Sequence, residues 1–173
     1  MLNSMDPFNK VSAKLYQGSV PDPDSSYEGF SMIVLCAQEC QPELPRFKGT
    51  VLRPAFDDTT NPSVAHVQRA RDASVAVGSE LMRGGRVLVT CFMGLNRSGL
   101  VVGQAMAMTT RIPADQIVEM IRAARGKDAL TNTTFHAMVL SAVRMRDEVL
   151  SARSPGGTKH GRARGESARD RGR

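Results

Sequence analysis

Apolar and polar positions alternate in short blocks through the first third of the chain and then settle into helical spacing. Val11–Tyr16 predicts a short strand closed by Gln17-Gly18-Ser19, and Ser31–Leu35 is a compact apolar run ending at Cys36, as in a buried strand. Thr50–Phe56 predicts a third strand, and Arg86–Thr90 a fourth with Cys91 at its end. Pro21-Asp22-Pro23-Asp24 and Gln41-Pro42-Glu43-Leu44-Pro45 interrupt regular structure between them, and Asp57–Pro62 is a polar loop.

Four segments carry a helical pattern. Ser63–Met82 places Val67, Ala70, Ser74, Val77 and Leu81 on one face, and Gly84-Gly85 stops it. Ser98–Thr109 is apolar on most sides, which predicts a central, buried helix. The next helix starts at Pro113, carries Asp115 in its first turn, turns Ile117, Met120, Ile121 and Ala124 inward, and ends at Gly126. Thr131 or Asn132 caps the last helix, whose expected stripe is Phe135, Met138, Ala142, Met145 and Val149. Strands first, then helices, predict an α/β fold: a small, mostly parallel central sheet flanked by helices over residues 1–150.

Composition refines this picture. A length of 173 residues fits one domain, and 41% hydrophobic content supplies a core. Aromatics are only 5% and Trp is absent, so aliphatic side chains must fill it. The net charge of +6 is lopsided: segment 151–173 holds seven basic and two acidic residues, and the rest is nearly neutral. Pro155-Gly156-Gly157 and the small, charged residues after it bury too little to fold, so 151–173 is expected to be a basic disordered tail, able to attract RNA or an acidic partner. An odd three Cys, no signal-peptide core in Met1–Asn9 and no apolar run near the ~20 residues of a membrane span predict a soluble, cytoplasmic protein with free thiols and no membrane partner.

The candidate chemistry lies at Cys91-Phe92-Met93-Gly94-Leu95-Asn96-Arg97-Ser98-Gly99, between a strand and a buried helix. A loop of this length can curl with its backbone N–H groups inward, and the following helix adds the positive end of its dipole, forming a nest for phosphate. Phe92, Met93, Gly94, Leu95, Asn96 and Arg97 would bind the substrate's phosphate. The same field favours the thiolate of Cys91, the nucleophile. Gly94 gives the curl its backbone freedom, Arg97 can hold two phosphate oxygens as a fork, and Ser98 can hydrogen-bond the sulfur as it leaves. A general acid must protonate the leaving oxygen. Asp58 is the first choice, because Leu52 and Phe56 then share one side of the strand while the second Asp enters the loop; Asp57 is the alternative.

These residues resemble the dual-specificity branch of the cysteine-based protein tyrosine phosphatase superfamily. Phe56-Asp57-Asp58 is similar to its acid loop, Leu15-Tyr16-Gln17-Gly18 to its opening strand and turn, and Arg125–Asn132 with Phe135 to its late segment. The resemblance spans about residues 11–150. It implies a cysteinyl-phosphate intermediate, a shallow pocket, no metal, no cofactor, and phosphorylated protein tyrosine (and serine or threonine) as substrate. Thr90 departs from it, since the family usually has His before the nucleophile to help hold the loop. The Thr90 hydroxyl is the expected partial substitute, with weaker thiol activation. In some such phosphatases a neighbouring Cys traps the oxidised nucleophile as a disulfide; Cys36 and Cys40 are the candidates here.

Two alternatives stand beside the protein phosphatase. Gly94-Leu95-Asn96-Arg97-Ser98-Gly99 also resembles the branch that acts on RNA 5′ phosphates and triphosphates, which would suit the basic tail. Thr90 admits a phosphate-binding pseudophosphatase. Neither His66 nor His136 is placed to pair with Cys91, which disfavours a Cys–His protease. Cys36 and Cys40 with only three His give no zinc set.

Overall fold

The computed structural model describes residues 7–153. The elements run β1 (Phe8–Lys10), β2 (Leu15–Gly18), β3 (Met32–Leu35), β4 (Thr50–Leu52), α1 (Val64–Met82), β5 (Val87–Thr90), α2 (Arg97–Thr109), α3 (Ala114–Arg125) and α4 (Thr133–Arg153). The strands form one sheet in the order β1-β2-β5-β3-β4. Only β1 is antiparallel to its neighbour; the other pairs are parallel. The mostly parallel sheet expected from the sequence is therefore present.

Its helices all lie on one face. Leu15, Met32, Val34, Val87 and Val89 share a core with buried residues of all four helices, including Val77, Leu100, Ile117 and Phe135. The alternate residues Ile33, Leu35 and Leu88 face the other way, under Tyr27, Leu44 and Phe47 from the loops before and after β3. Arg86 completes that side, its guanidinium stacked 4.4 Å above the Tyr16 ring and 4.7 Å above Phe30.

Helix α2 is the hub. Residues 97–107 are all buried, and it packs against α1, α3 and α4. A β-carbon at Gly103 would lie 2.7 Å from Val139 Cγ2, so the missing side chain sets how closely α2 and α4 approach.

Several sequence expectations need correction. The first strand lies at Leu15–Gly18 rather than Val11–Tyr16, and the short β1 precedes it. Val11 and Ser12 instead turn the chain, both donating to the Leu15 carbonyl. The Thr50 strand stops at Leu52, although Phe56 makes an isolated bridge to Ala37. On α4 the buried stripe is Phe135, Val139 and Val143, while Met145 and Val149 are about half exposed. The helix is turned so that the four-residue spacing from Phe135 meets α2, and the expected stripe slides to its flank. Helix α4 also continues to Arg153, inside the segment assigned to the tail; the remainder of that segment lies outside the described residues. Among the described residues no helix is long and apolar enough to cross a membrane.

Candidate active site

Strand β5 ends at Thr90, and the loop 91–96 delivers the chain into α2. The Cys91 side chain is buried, and its Sγ lies 3.3 Å from Ser98 Oγ. Gly94 adopts φ +71°, and a β-carbon there would meet Gly18 C at 2.5 Å and Arg125 Nη2 at 2.7 Å. Both the torsion and the space demand glycine. The Gly18 carbonyl accepts from Cys91 N (3.2 Å), and the Phe92 carbonyl accepts from Val20 N (3.4 Å), so the turn after β2 braces the near side of the loop.

Among the described residues no backbone or side-chain oxygen accepts from the N–H groups of residues 92–97. Successive backbone N–H groups left without an acceptor have the arrangement of an anion nest. Phe92 and Met93 put their side chains out at the mouth, half exposed or more, while Leu95 and Asn96 are partly buried.

Arg97 begins α2 and turns back across the loop. Its Nη1 and Nη2 each lie 2.5 Å from a Glu39 carboxylate oxygen, and Nη1 also reaches the Phe56 carbonyl at 3.3 Å. Nε is buried without a partner. The outer end of the guanidinium is thus held by Glu39, and the Nε side is left for a second oxyanion. Burial works against the Arg97 charge, but the Glu39 hydrogen bond and the negative Cys91, Glu39 and Asp58 outweigh it and raise its pKa. The same Arg97 hydrogen bond holds the Glu39 carboxyl below its ordinary value.

Glu39 was not foreseen. It follows β3 at the same end of the sheet as the loop, and an acidic residue soon after a buried strand looks like an ordinary loop carboxylate in the sequence. Its pairing has a testable pH signature. Because the folded-state pKa is depressed, the stabilisation is fully present above the ordinary carboxylate value and is lost as pH falls through the depressed one. With Glu39 half exposed, the charge contributes about 1 kcal/mol or less, or roughly 2–4 °C in Tm. Melting curves should show Glu39→Gln less stable than the native chain by that margin at pH 7, with the gap closing as pH falls through the depressed Glu39 value. An unchanged gap as pH falls would show that the charge contributes nothing.

The two candidate acids are held differently. Asp58 Oδ1 accepts from Asn132 Nδ2 at 2.8 Å. Asn132 also donates to the Thr59 carbonyl (3.1 Å) and, through its backbone N–H, to Asn96 Oδ1 (3.1 Å). Its own Oδ1 accepts from Phe135 N at 3.2 Å and caps α4. One residue therefore ties the Asp58 loop, the 91–96 loop and α4 together, the first and last through its side chain and the second through its backbone N–H. Of the two predicted caps, Asn132 is the one in place. Asp57 points away toward α1, with Oδ2 4.0 Å from His66 Nδ1 and about half its side chain exposed.

The Thr90 hydroxyl donates to the Val34 carbonyl at 3.0 Å. It is committed to β3 and does not reach the loop, contrary to the substitute role expected for it. The loop is held instead by Gln17 and Arg125. Gln17 Nε2 donates to the carbonyls of Gly94 and Leu95, and Arg125 to those of Met93 and Gly94. Both lie in segments that carry the family resemblance, Leu15-Tyr16-Gln17-Gly18 and Arg125–Asn132, but the sequence reading assigns neither a role at the loop. A polar residue inside an otherwise apolar strand and an Arg four residues after the buried Ile121 are the signals that could have found them.

Cys36 is the thiol beside Cys91. Leu35 and Thr90 are partners in the parallel β3–β5 register, and Cys36 N donates to Thr90 O at 2.8 Å. Cys36 and Cys91 therefore follow side by side on the helical face of the sheet. Burial, and then the negative Cys91, push the Cys36 thiol well above its usual value, so it stays protonated. Cys40 is only partly buried.

A mouse putative dual specificity phosphatase complexed with zinc tungstate aligns over 87% of this chain and 94% of its own, at 21% identity and a TM-score of 0.73. The fold is that of the dual-specificity phosphatases. DUSP15 shares it at 23% identity, TM-score 0.66, over 86% of this chain and 97% of its own. So does a human tyrosine phosphatase-like serine/threonine/tyrosine-interacting protein, at 14% identity, TM-score 0.63, over 83% and 97%. No protein-family model matches the sequence, and no curated protein matches it. The dual-specificity phosphatase fold thus rests on three-dimensional similarity.

Proposed function

We propose that this protein is a cysteine-dependent phosphatase that hydrolyses phosphate monoesters on protein tyrosine, and on serine or threonine, through a cysteinyl-phosphate intermediate. The observation that carries this is the conjunction at one loop of Cys91 Sγ, bonded to Ser98 Oγ, and the unpartnered Arg97 Nε. In the first step the Cys91 thiolate attacks phosphorus. The ester P–O bond breaks, and Asp58 gives its proton to the leaving oxygen. In the second step Asp58 takes a proton from water, the water oxygen attacks phosphorus and the P–S bond breaks. Ser98 then stabilises the departing thiolate.

Arg97 is the only cationic side chain in Cys91–Ser98. A monoester phosphate needs one such clamp, whereas a triphosphate end would leave its outer charges without partners in the loop. This favours a phosphoprotein over an RNA 5′ end.

The test is to offer the purified protein an aryl phosphate, phosphotyrosine and phosphoserine peptides, and 5′-triphosphorylated RNA, and to quench with acid for mass spectrometry of the Cys91 peptide. Release from the phosphotyrosine peptide, with phosphate trapped on Cys91, is the expected result. Release from RNA alone would replace the protein substrate. Folded protein that binds tungstate yet releases phosphate from none of them would be a pseudophosphatase.

A redox consequence follows from the proposed nucleophile and its neighbour. Peroxide converts the Cys91 thiolate to a sulfenic acid; the Cys36 thiol then attacks that sulfur, releasing water and forming a disulfide. Inactivation should therefore be reversed by dithiothreitol, and a Cys36–Cys91 cross-linked peptide should appear. In Cys36→Ser the oxidation should proceed to the sulfinic acid and resist reversal. Equal recovery of both proteins would rule out Cys36.

A further inference from the structure

Three consecutive carbonyls of the phosphate loop are gripped from behind by two buried side chains. Gln17 Nε2 lies 3.0 Å from the Gly94 oxygen and 3.3 Å from that of Leu95. Arg125 donates through Nε to Gly94 O (3.1 Å) and through Nη2 to Met93 O (3.2 Å). Gln17 is 0% and Arg125 1% exposed. One comes from β2 and the other closes α3, so the loop is held between elements far apart in sequence.

Every described peptide bond is trans, and in a trans unit the N–H points opposite to the C=O. Fixing the carbonyls of Met93, Gly94 and Leu95 on the outer side aims the N–H groups of Gly94, Leu95 and Asn96 to the inner side. Those N–H groups are among the donors without an acceptor described above.

Gln17 is chemically odd for its position. It shares the helical face of β2 with Leu15, where an aliphatic side chain would fill the space without polar cost. Its two carbonyl acceptors fix the orientation of the amide, since the flipped form would set oxygen against oxygen. The correct orientation leaves Oε1 buried without a partner, which is destabilising. A side chain that lowers stability in this way while binding two adjacent loop carbonyls is placed for the loop rather than for packing. The residue before the nucleophile cannot do this work, because the Thr90 hydroxyl is spent on Val34.

We infer that Gln17 is a positioning residue for the phosphate site: together with Arg125 it turns the loop's peptide units so that their N–H groups face the bound oxyanion. This rests on the phosphatase reading above.

The test uses Gln17→Met, close in size and without the donors. Tungstate affinity should fall about tenfold, the combined net worth of the two lost hydrogen bonds. The kcat/KM for an aryl phosphate should fall at least as much, because the same N–H groups meet the transition state. Val143→Ala, a core change on α4 with no hydrogen bond to the loop, serves as the stability control: its Tm should drop while its tungstate affinity stays at the native level. If Gln17→Met fails to fold, the native protein still answers. Its ¹⁵N-labelled Gln17 side-chain amide should be protected from solvent exchange and should shift on adding tungstate; an unprotected or unmoved signal overturns the inference. Native hydrolysis and tungstate binding with an unaltered Gln17→Met overturn it alone. A native chain that neither binds tungstate nor hydrolyses an aryl phosphate overturns the phosphatase reading and the inference with it.

Discussion

Cys91→Ser is expected to lower turnover of an aryl phosphate by about 10⁴-fold or more, while tungstate affinity stays within about threefold of the native value. The two halves of this result separate the nucleophile from the nest. A serine hydroxyl in a buried site remains protonated and is a far weaker nucleophile than a thiolate, so no phosphoenzyme forms. The oxyanion contacts are not made by the sulfur. In the proposed site they belong to the N–H groups of the loop and to Arg97, whose outer end is anchored on Glu39. The exchange is also small. Cys91 is 4% exposed and faces Ser98 Oγ, so the new hydroxyl has a partner, and the cost should be about 1 kcal/mol or 2–4 °C in Tm. A variant with more than one hundredth of native activity would show that Cys91 is not the nucleophile; one that has also lost tungstate would show that the site has collapsed.

The contrast between Cys91 and Glu39 shows how much of such a site a sequence can show. Cys91, Gly94, Arg97 and Ser98 are legible because their spacing is local: one loop, one strand before it and one helix behind it. Glu39, Gln17, Arg125 and Asn132 act on the same loop from four other elements or connections. What joins them is the parallel pairing of β2 and β3 with β5, which brings strand ends and the segments beyond them to one edge of the sheet. No short-range pattern encodes that. Thr90 illustrates the reverse error. In sequence its hydroxyl is adjacent to Cys91, yet in the parallel sheet it donates to the Val34 carbonyl of the neighbouring strand.

The fold divides in the same way. Helices with strong local signals appear where expected, such as α1 with its Ser63 cap, whose side chain accepts from His66 N, and α3 between Pro113 and Gly126. On α4 Phe135 is buried as expected, but Val139 and Val143 take the inward positions expected for Met138, Ala142, Met145 and Val149, because both sets satisfy the helical spacing from Phe135. The choice between them is made by Gly103, which lets Val139 approach α2. The strand β1 was missed because three residues, one of them Asn9, carry no periodicity. Its role is nonetheless tied to the site, since Asn9 Oδ1 accepts from Arg125 Nη1 at 2.6 Å.

Asp58→Asn should lower kcat by about 10²–10³-fold on an ester with a poor leaving group, and far less on one with a good leaving group. Asp57→Asn should stay within about threefold on both, as for an ordinary surface substitution. The difference follows from how each carboxylate is held. Asn132 fixes Asp58 Oδ1 at 2.8 Å, which reserves the other oxygen for the proton that the leaving group takes. The Asn132 backbone N–H also donates to Asn96 Oδ1, so one residue positions both Asp58 and the loop, and the Asp58 charge is among those that raise the Arg97 pKa. Asp57 is turned to His66 on α1. In Asp58→Asn the amide oxygen can still accept from Asn132, so the loop should keep its place and only the transferable proton is lost. The measurement is the slope of log kcat against leaving-group basicity across substituted phenyl phosphates. A steeper slope in Asp58→Asn alone identifies the acid, and the same change in Asp57→Asn instead would move the role to that residue. If both slopes match the native one, the proton comes from neither carboxylate, and the step assigned to Asp58 must be carried by water.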